Sequence, residues 1–296
     1  MRKTTFVVAA GAALALVLTG CGSKSESGTA APAGDKAASG IAAPFANVLE
    51  LASASKQGTT KTKSSKMSMT MSAAGKTVTA EGIASYDPAD LKMSMTMTTD
   101  GQQMEMRLLD KTMYIKLPAA ELAQMGTDKP WVKISPDSND PLSKALSGSM
   151  GSAGDQSDPT KILDQISEAG RIVSSDQTTL DGQPVNHYKV EIDLAKSIDK
   201  TLASADDATR AKVKEMIKGK DIQIPAEIWV DKDQLPLQIT MDESAMMQAM
   251  GAGAASSGGT GKMTIKYSDW GTAVNVTAPP ADQITDMGEI AKKMGG

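Results

Sequence analysis

From Lys66 onward, apolar and polar residues alternate. Met67, Met69 and Met71 are separated by Ser68 and Thr70, Met93, Met95 and Met97 by Ser94 and Thr96, and Met104 and Met106 by Glu105. A period of two sends successive side chains to opposite faces, so each run predicts a strand with one apolar and one polar face. Val78 to Tyr86 reads as a further strand between the first two, closed by the turn signal Asp87-Pro88-Ala89-Asp90. Asp100-Gly101 predicts a tight hairpin, and Asp110-Lys111 leads into Met113, Ile115 and Leu117. The pattern is that of a meander of about five antiparallel strands. Lys66 to Ser72 and Lys92 to Thr98 nearly repeat each other, but two copies do not make a solenoid.

The period then changes. Asp158 suits an N-cap, Pro159 the first helical position and Gly170 the end, while Ile162, Leu163, Ile166 and Ala169 share one face between them. A second strand set follows. Arg171 to Thr179 leads through Asp181-Gly182 to Tyr188, Val190, Ile192 and Leu194. Asp206 to Lys218 reads as a helix, acidic at its start and basic at its end, stopped by Gly219. Ile224, Ala226, Ile228 and Val230 turn at Asp231 to Gln234 into Leu235, Leu237, Ile239 and Met241. Glu243 to Gly261, with Met246, Met247 and Met250, has no strand pattern and reads as a mobile loop before Met263, Ile265 and Tyr267. The expectation is an α+β chain of about ten or eleven mostly antiparallel strands and two to four helices, with a sheet wide enough that it must curl or close.

Ahead of the domain, Arg2 and Lys3 precede an uncharged apolar run from Phe6 to Leu18 and then Leu18-Thr19-Gly20-Cys21. A run of about 13 residues is too short to span a bilayer and reads as the core of an export signal. The last four residues look like a bacterial lipobox, with cleavage between Gly20 and Cys21 and lipid on the Cys21 thiol. Cys21 is the only cysteine, so an exported form has no disulfide. The expected organisation is a signal at 1–20, a Ser/Gly/Ala-rich tether at 21–43, a domain at 44–288 and a C-terminal tail at 289–296. Without Arg2 and Lys3, 29 of the 31 basic residues remain against 35 acidic ones. That balance argues against nucleic acid and supplies no polybasic patch for anionic lipid.

The segment Glu227-Ile228-Trp229-Val230-Asp231-Lys232-Asp233-Gln234-Leu235-Pro236-Leu237 places a Trp just before an acidic turn and an apolar-Pro-apolar return strand. It resembles the LppX/LprAFG family of actinobacterial envelope lipoproteins, within the wider LolA-like group. Gly182 to Tyr188 is similar to the hairpin before that family's second half, and the order of lipobox, tether, strands, helix and Trp strand agrees over about residues 45 to 288. The resemblance implies a strongly curved antiparallel sheet, an unclosed barrel, with helices laid across its concave face. Between them it implies an apolar cavity for the acyl chains of a lipid, and a protein held at the outer face of the cell membrane.

Twenty Met against two Phe, four Tyr and three Trp mean that something other than aromatic rings fills the interior. The Met stripe admits three readings: core filling, a cavity wall that re-packs around acyl chains, or soft thioether ligands for Cu(I). Alternate residues on one strand lie about 6.6 Å apart, so a copper site would need sulfurs from two strands. The expected cavity lining is Met67, Met69, Met71, Met93, Met95, Met97, Met104, Met106, Met113, Ile115, Ile162, Ile166, Val190, Ile192, Ile228, Leu237, Ile239, Met263 and Ile265. His187, the only histidine, falls on the polar face of its strand and reads as a surface residue. One His with no free Cys does not make a zinc site, and there is no Gly-x-Ser-x-Gly elbow, P-loop or dinucleotide fingerprint. Asp206-Asp207, Asp231 and Asp233 fall at a helix start and a turn, where capping explains them. Trp131, Trp229 and Trp270 lie near strand ends, as rim packing or a cavity mouth. The expectation is therefore no enzyme and no cofactor, but a lipid-anchored protein that binds an amphiphile. A scaffold that binds an unidentified protein partner is the alternative, and Met-based Cu(I) binding the third.

Overall fold

A computed structural model describes residues 40–73, 75–87, 89–136, 158–202, 207–249 and 261–295. Gly20, Cys21, most of the expected tether, Asp206 and the Gly/Ala-rich stretch 250–260 lie outside the described residues. Among the described residues are twelve strands and seven α-helices, more of each than the alternation predicts.

The strands are β1 (Ser64–Ala73), β2 (Lys76–Ser85), β3 (Lys92–Thr99), β4 (Gln102–Leu109), β5 (Thr112–Lys116), β6 (Trp131–Ile134), β7 (Gly170–Leu180), β8 (Gln183–Asp193), β9 (Gln223–Val230), β10 (Pro236–Asp242), β11 (Lys262–Ser268) and β12 (Ile284–Asp286). They form one sheet in the order β12-β6-β5-β4-β3-β2-β1-β11-β10-β9-β8-β7, which does not close. All pairs are antiparallel except β6 with β12. Local turn chemistry sets most of the order. Asp100-Gly101, Asp110-Lys111 and Asp181-Gly182 each place two residues at positive φ (50° and 79°, 48° and 65°, 50° and 83°). That backbone matches the right-handed twist of a two-residue hairpin.

The helices are α1 (Val48–Thr62), α2 (Ala119–Gln124), α3 (Pro159–Ala169), α4 (Leu194–Thr201), α5 (Asp207–Ile217), α6 (Ser244–Ala249) and α7 (Met287–Gly295). α3 starts as its sequence predicts: Asp158 Oδ1 accepts from the Thr160 N–H at 2.8 Å, ahead of Pro159. Its end is decided by packing. Gly170 is extended (φ −98°), and a Cβ there would stand 2.5 Å from the Ile166 carbonyl oxygen.

Three expectations are corrected. Leu194 opens helix α4 rather than extending β8. Ser244 to Ala249, expected in a loop, is helical; Asp242 Oδ1 accepts from the Ser244 N–H at 3.0 Å, and the Met247 N–H reaches the Glu243 carbonyl. Residues 289–295, expected in a tail, belong to α7, where Met287 and Ile290 share a face and Ile290 is 1% exposed.

Among the described residues, side chains gather into two buried clusters. The larger unites the apolar face of β1–β3 and β8–β11 with α1, α3, α4 and α5, while the smaller joins β5 and β6 to α2 and α7.

Candidate functional site

The register arranges the apolar face into rows that run across the strands. One row reads Ile228, Ile239, Ile265, Met69, Ala80, Met97, Met104, from β9 through β10, β11, β1, β2 and β3 to β4. The next reads Tyr267, Met67, Gly82, Met95, Met106, Ile115, Val132. Along β2 this face is small: Gly82 and Ala80 stand between Met on β1 and Met on β3, and Ala84 between Ser65 and Met93. Long, unbranched thioethers from both neighbours close over the small residues, which is the use of Met as a gap filler. Gly82 is fixed by the backbone beside it, since a Cβ there would sit 2.5 Å from the Ser94 carbonyl oxygen.

Burial divides the expected lining into two groups. Met67, Met93, Met95, Ile162, Ile166, Val190, Ile192, Ile228, Ile239, Met263 and Ile265 are buried in the larger cluster, and Met113 and Ile115 in the smaller. The space between α3 and the sheet is filled: Ile162, Leu163 and Ile166, 1–3% exposed, share a cluster with Tyr188, Val190 and Ile228. The second group is Met69, Met71, Met97, Met104 and Met106, which face the same side but stay partly exposed. Met241 on β10 and Met246 on α6 join them as partly buried neighbours of the larger cluster. On β1–β4 these partly exposed side chains mark where the apolar face runs past its fully buried part, a Met surface termed the Met trough. Register sets Met97 opposite Met104 and Met95 opposite Met106.

Leu237 belongs to neither group. A register shift between Pro236 and Gln238 breaks the alternation of β10, so Leu237 borders a groove on the polar face instead.

At the far side of the domain, the chain entering it is tied down. Asn186 Nδ2 and Gln177 Nε2 both donate to the Ala42 carbonyl, at 3.1 and 2.9 Å, and the Phe45 N–H donates to the Tyr188 hydroxyl at 3.0 Å. The tether expected to run to residue 43 is thus held from Ala42. Burial pushes the Tyr188 hydroxyl pKa up, keeping it neutral.

His187 lies on the polar face as its parity predicts but is only 8% exposed, so the surface-residue reading is corrected. Its Nδ1 is 3.0 Å from Asp176 on β7, its Nε2 is 2.7 Å from Glu227 on β9, and its ring stacks on Trp229 at 4.5 Å and 12°. Among the described residues both ring-nitrogen contacts are carboxylates, with no nucleophile hydrogen-bonded to either, and the trio ties three strands together. Trp131 is buried beneath Arg107, whose guanidinium is 4.7 Å from the ring centre. Trp270 packs beside Tyr86 and Tyr267, at 6.1 and 5.7 Å.

Just before the Met246 helix, burial raises the Glu243 carboxyl pKa, while the hydrogen bonds from Ser244 lower that of Asp242. Among the described residues no group of three or more His, Cys, Asp or Glu is placed to hold a metal ion, and no helix is long and apolar enough to cross a membrane. Sequence reasoning missed helix α1, the Asn186–Ala42 latch and the Asp176–His187–Glu227 bridge. Comparison with protein-family models and with curated proteins returns no match for this chain.

Proposed function

We propose that the chain is a lipid-anchored envelope protein that binds an amphiphile, with acyl chain on the Met trough of β1–β4. In this reading the sheet is strongly curved and its helices lie across the concave side, as in the LppX/LprAFG family that the sequence resembles. The observation that carries the proposal is a set of apolar, inward-facing but partly exposed side chains: Met69, Met71, Met97, Met104 and Met106. Large apolar surface left accessible on a folded domain marks a binding site. Each CH₂ laid against it gains about 0.8 kcal/mol, which offsets extraction from a bilayer. The adaptable Met side chains supply a wall that re-packs around chains of different length. Thr99 and Gln102 continue the cross-strand rows beyond the Met residues and offer a polar edge for a headgroup.

The filled space under α3 favours a second reading, a scaffold whose Met trough receives a protein partner. Transfer of a fluorescent long-chain fatty acid from vesicles separates the two. The carrier reading expects uptake that Met97→Glu and Met104→Glu abolish; absence of uptake by the wild type rejects it.

A further inference from the structure

The opposite face of the sheet holds a cavity of about 1160 Å³ that the Met trough does not reach. Its floor is a cross-strand row of Lys266, Ser68, Glu81 and Thr96, from β11, β1, β2 and β3. The tip of the β7–β8 hairpin forms one wall and Trp270 borders another side. Lys266 Nζ bonds Asp181 Oδ2 at 3.3 Å, which holds the hairpin tip to the floor.

The charges inside are largely committed. Lys266 is matched by Asp181 and Lys66 by Asp269, at 2.9 Å. Asp231 accepts the N–H groups of Asp233 and Leu235 at 2.9 Å each and shapes the β9–β10 turn. Glu81, at the centre of the floor, makes no ion pair among the described residues. Around it stand hydroxyl and amide groups: Ser68, Ser94, Thr96, Gln103 and Gln183. Leu180, Leu237 and Trp270 add apolar surface, and the Trp270 Nε1–H is buried without an acceptor among the described residues.

We infer that this groove binds a neutral oligosaccharide. Such a ligand presents hydroxyl donors to the Glu81 carboxylate, donors and acceptors to the Ser, Thr and Gln groups, and C–H faces to Leu237 and Trp270. An anion meets lysines already matched by carboxylates and a surplus of acid. A basic peptide would seek several free carboxylates, and the floor offers one. The volume exceeds the roughly 300–1,000 Å³ of small-ligand pockets, which suits a chain of several sugars.

The test is calorimetric titration of the processed lipoprotein in nanodiscs with short neutral oligosaccharides of glucose, mannose or galactose, and with oligolysine as the competing class. The expected result is binding of at least one saccharide, weakened about tenfold or more (~1.4 kcal/mol) by Glu81→Ala and by Thr96→Leu. Both positions lie on the polar face, away from the buried clusters, and circular dichroism checks that the variants stay folded. No saccharide binding at millimolar concentration, binding unchanged in both variants, or binding of oligolysine alone overturns the inference. Fatty-acid uptake reads the trough on the opposite face, so the two sites fail separately.

Discussion

Ile166→Ala and Met97→Ala each remove three heavy atoms from the same side of the sheet, and the structure assigns them different costs. Ile166 is 2% exposed and packed in the larger cluster with Tyr188 and Val190. Three buried carbons at about 0.8 kcal/mol each give a transfer loss of about 2.4 kcal/mol. The hole left under α3 adds to this and brings the total to about 3–4 kcal/mol, inside the range for Ile→Ala in cores. Met97 is already partly in water, so its truncation loses a fraction of the transfer energy and opens onto solvent. About 1 kcal/mol is expected. Urea unfolding at unchanged m reads both values, and for a domain of this size the Ile166 variant should melt roughly 6–16 °C lower. Equal costs, or a loss below about 1.5 kcal/mol for Ile166→Ala, would mean that α3 faces a void, and the placement of the binding surface in the trough would be wrong.

Further outcomes follow from single contacts. Gly82→Ala places a Cβ 2.5 Å from the Ser94 carbonyl oxygen, so it should destabilise by about 1–3 kcal/mol in the same assay, where an unobstructed strand Gly→Ala would stabilise. Burial raises the Glu243 pKa; a carboxyl shifted in that sense is most favourable below its unfolded value, and that stability is lost as pH rises through the folded value. Glu243→Gln should therefore be more stable than wild type at neutral pH, with the gap closing as the pH falls through the raised folded value towards 4.5. His187→Phe breaks two carboxylate contacts and should cost about 1–3 kcal/mol, with faster amide exchange in β7 than in β2. Cys21→Ala should abolish incorporation of labelled palmitate; labelling that persists would refute the lipobox reading.

Much of the sheet is legible because Met-x-Met alternation and Asp-Gly turns are local signals. β1 to β5, β8 and β9 follow from spacing alone. Leu237 does not: the register shift in β10 flips one residue, and period-two reading carries no sign of where a bulge falls. Helix α1 was hidden because its buried face runs Val48, Leu51, Ala52, Ser55, Thr59. The helical spacing is present, but its last two members are hydroxyls, neither with a hydrogen-bond partner among the described residues, so the apolar period fades halfway. The His187 bridge joins residues 40 positions apart in the chain, and only sheet order brings them together. The Met stripe was legible as one face; which of its members are buried and which stay open depends on where α1, α3, α4 and α5 lie.

Native mass spectrometry of the protein purified from its own membranes tests the central claim most directly. The account predicts a co-purifying lipid mass on the wild type that is lost when Met97 and Met104 are replaced by Glu. A wild-type spectrum containing only the ligand-free lipoprotein, or a lipid mass unchanged in the double variant, would contradict it.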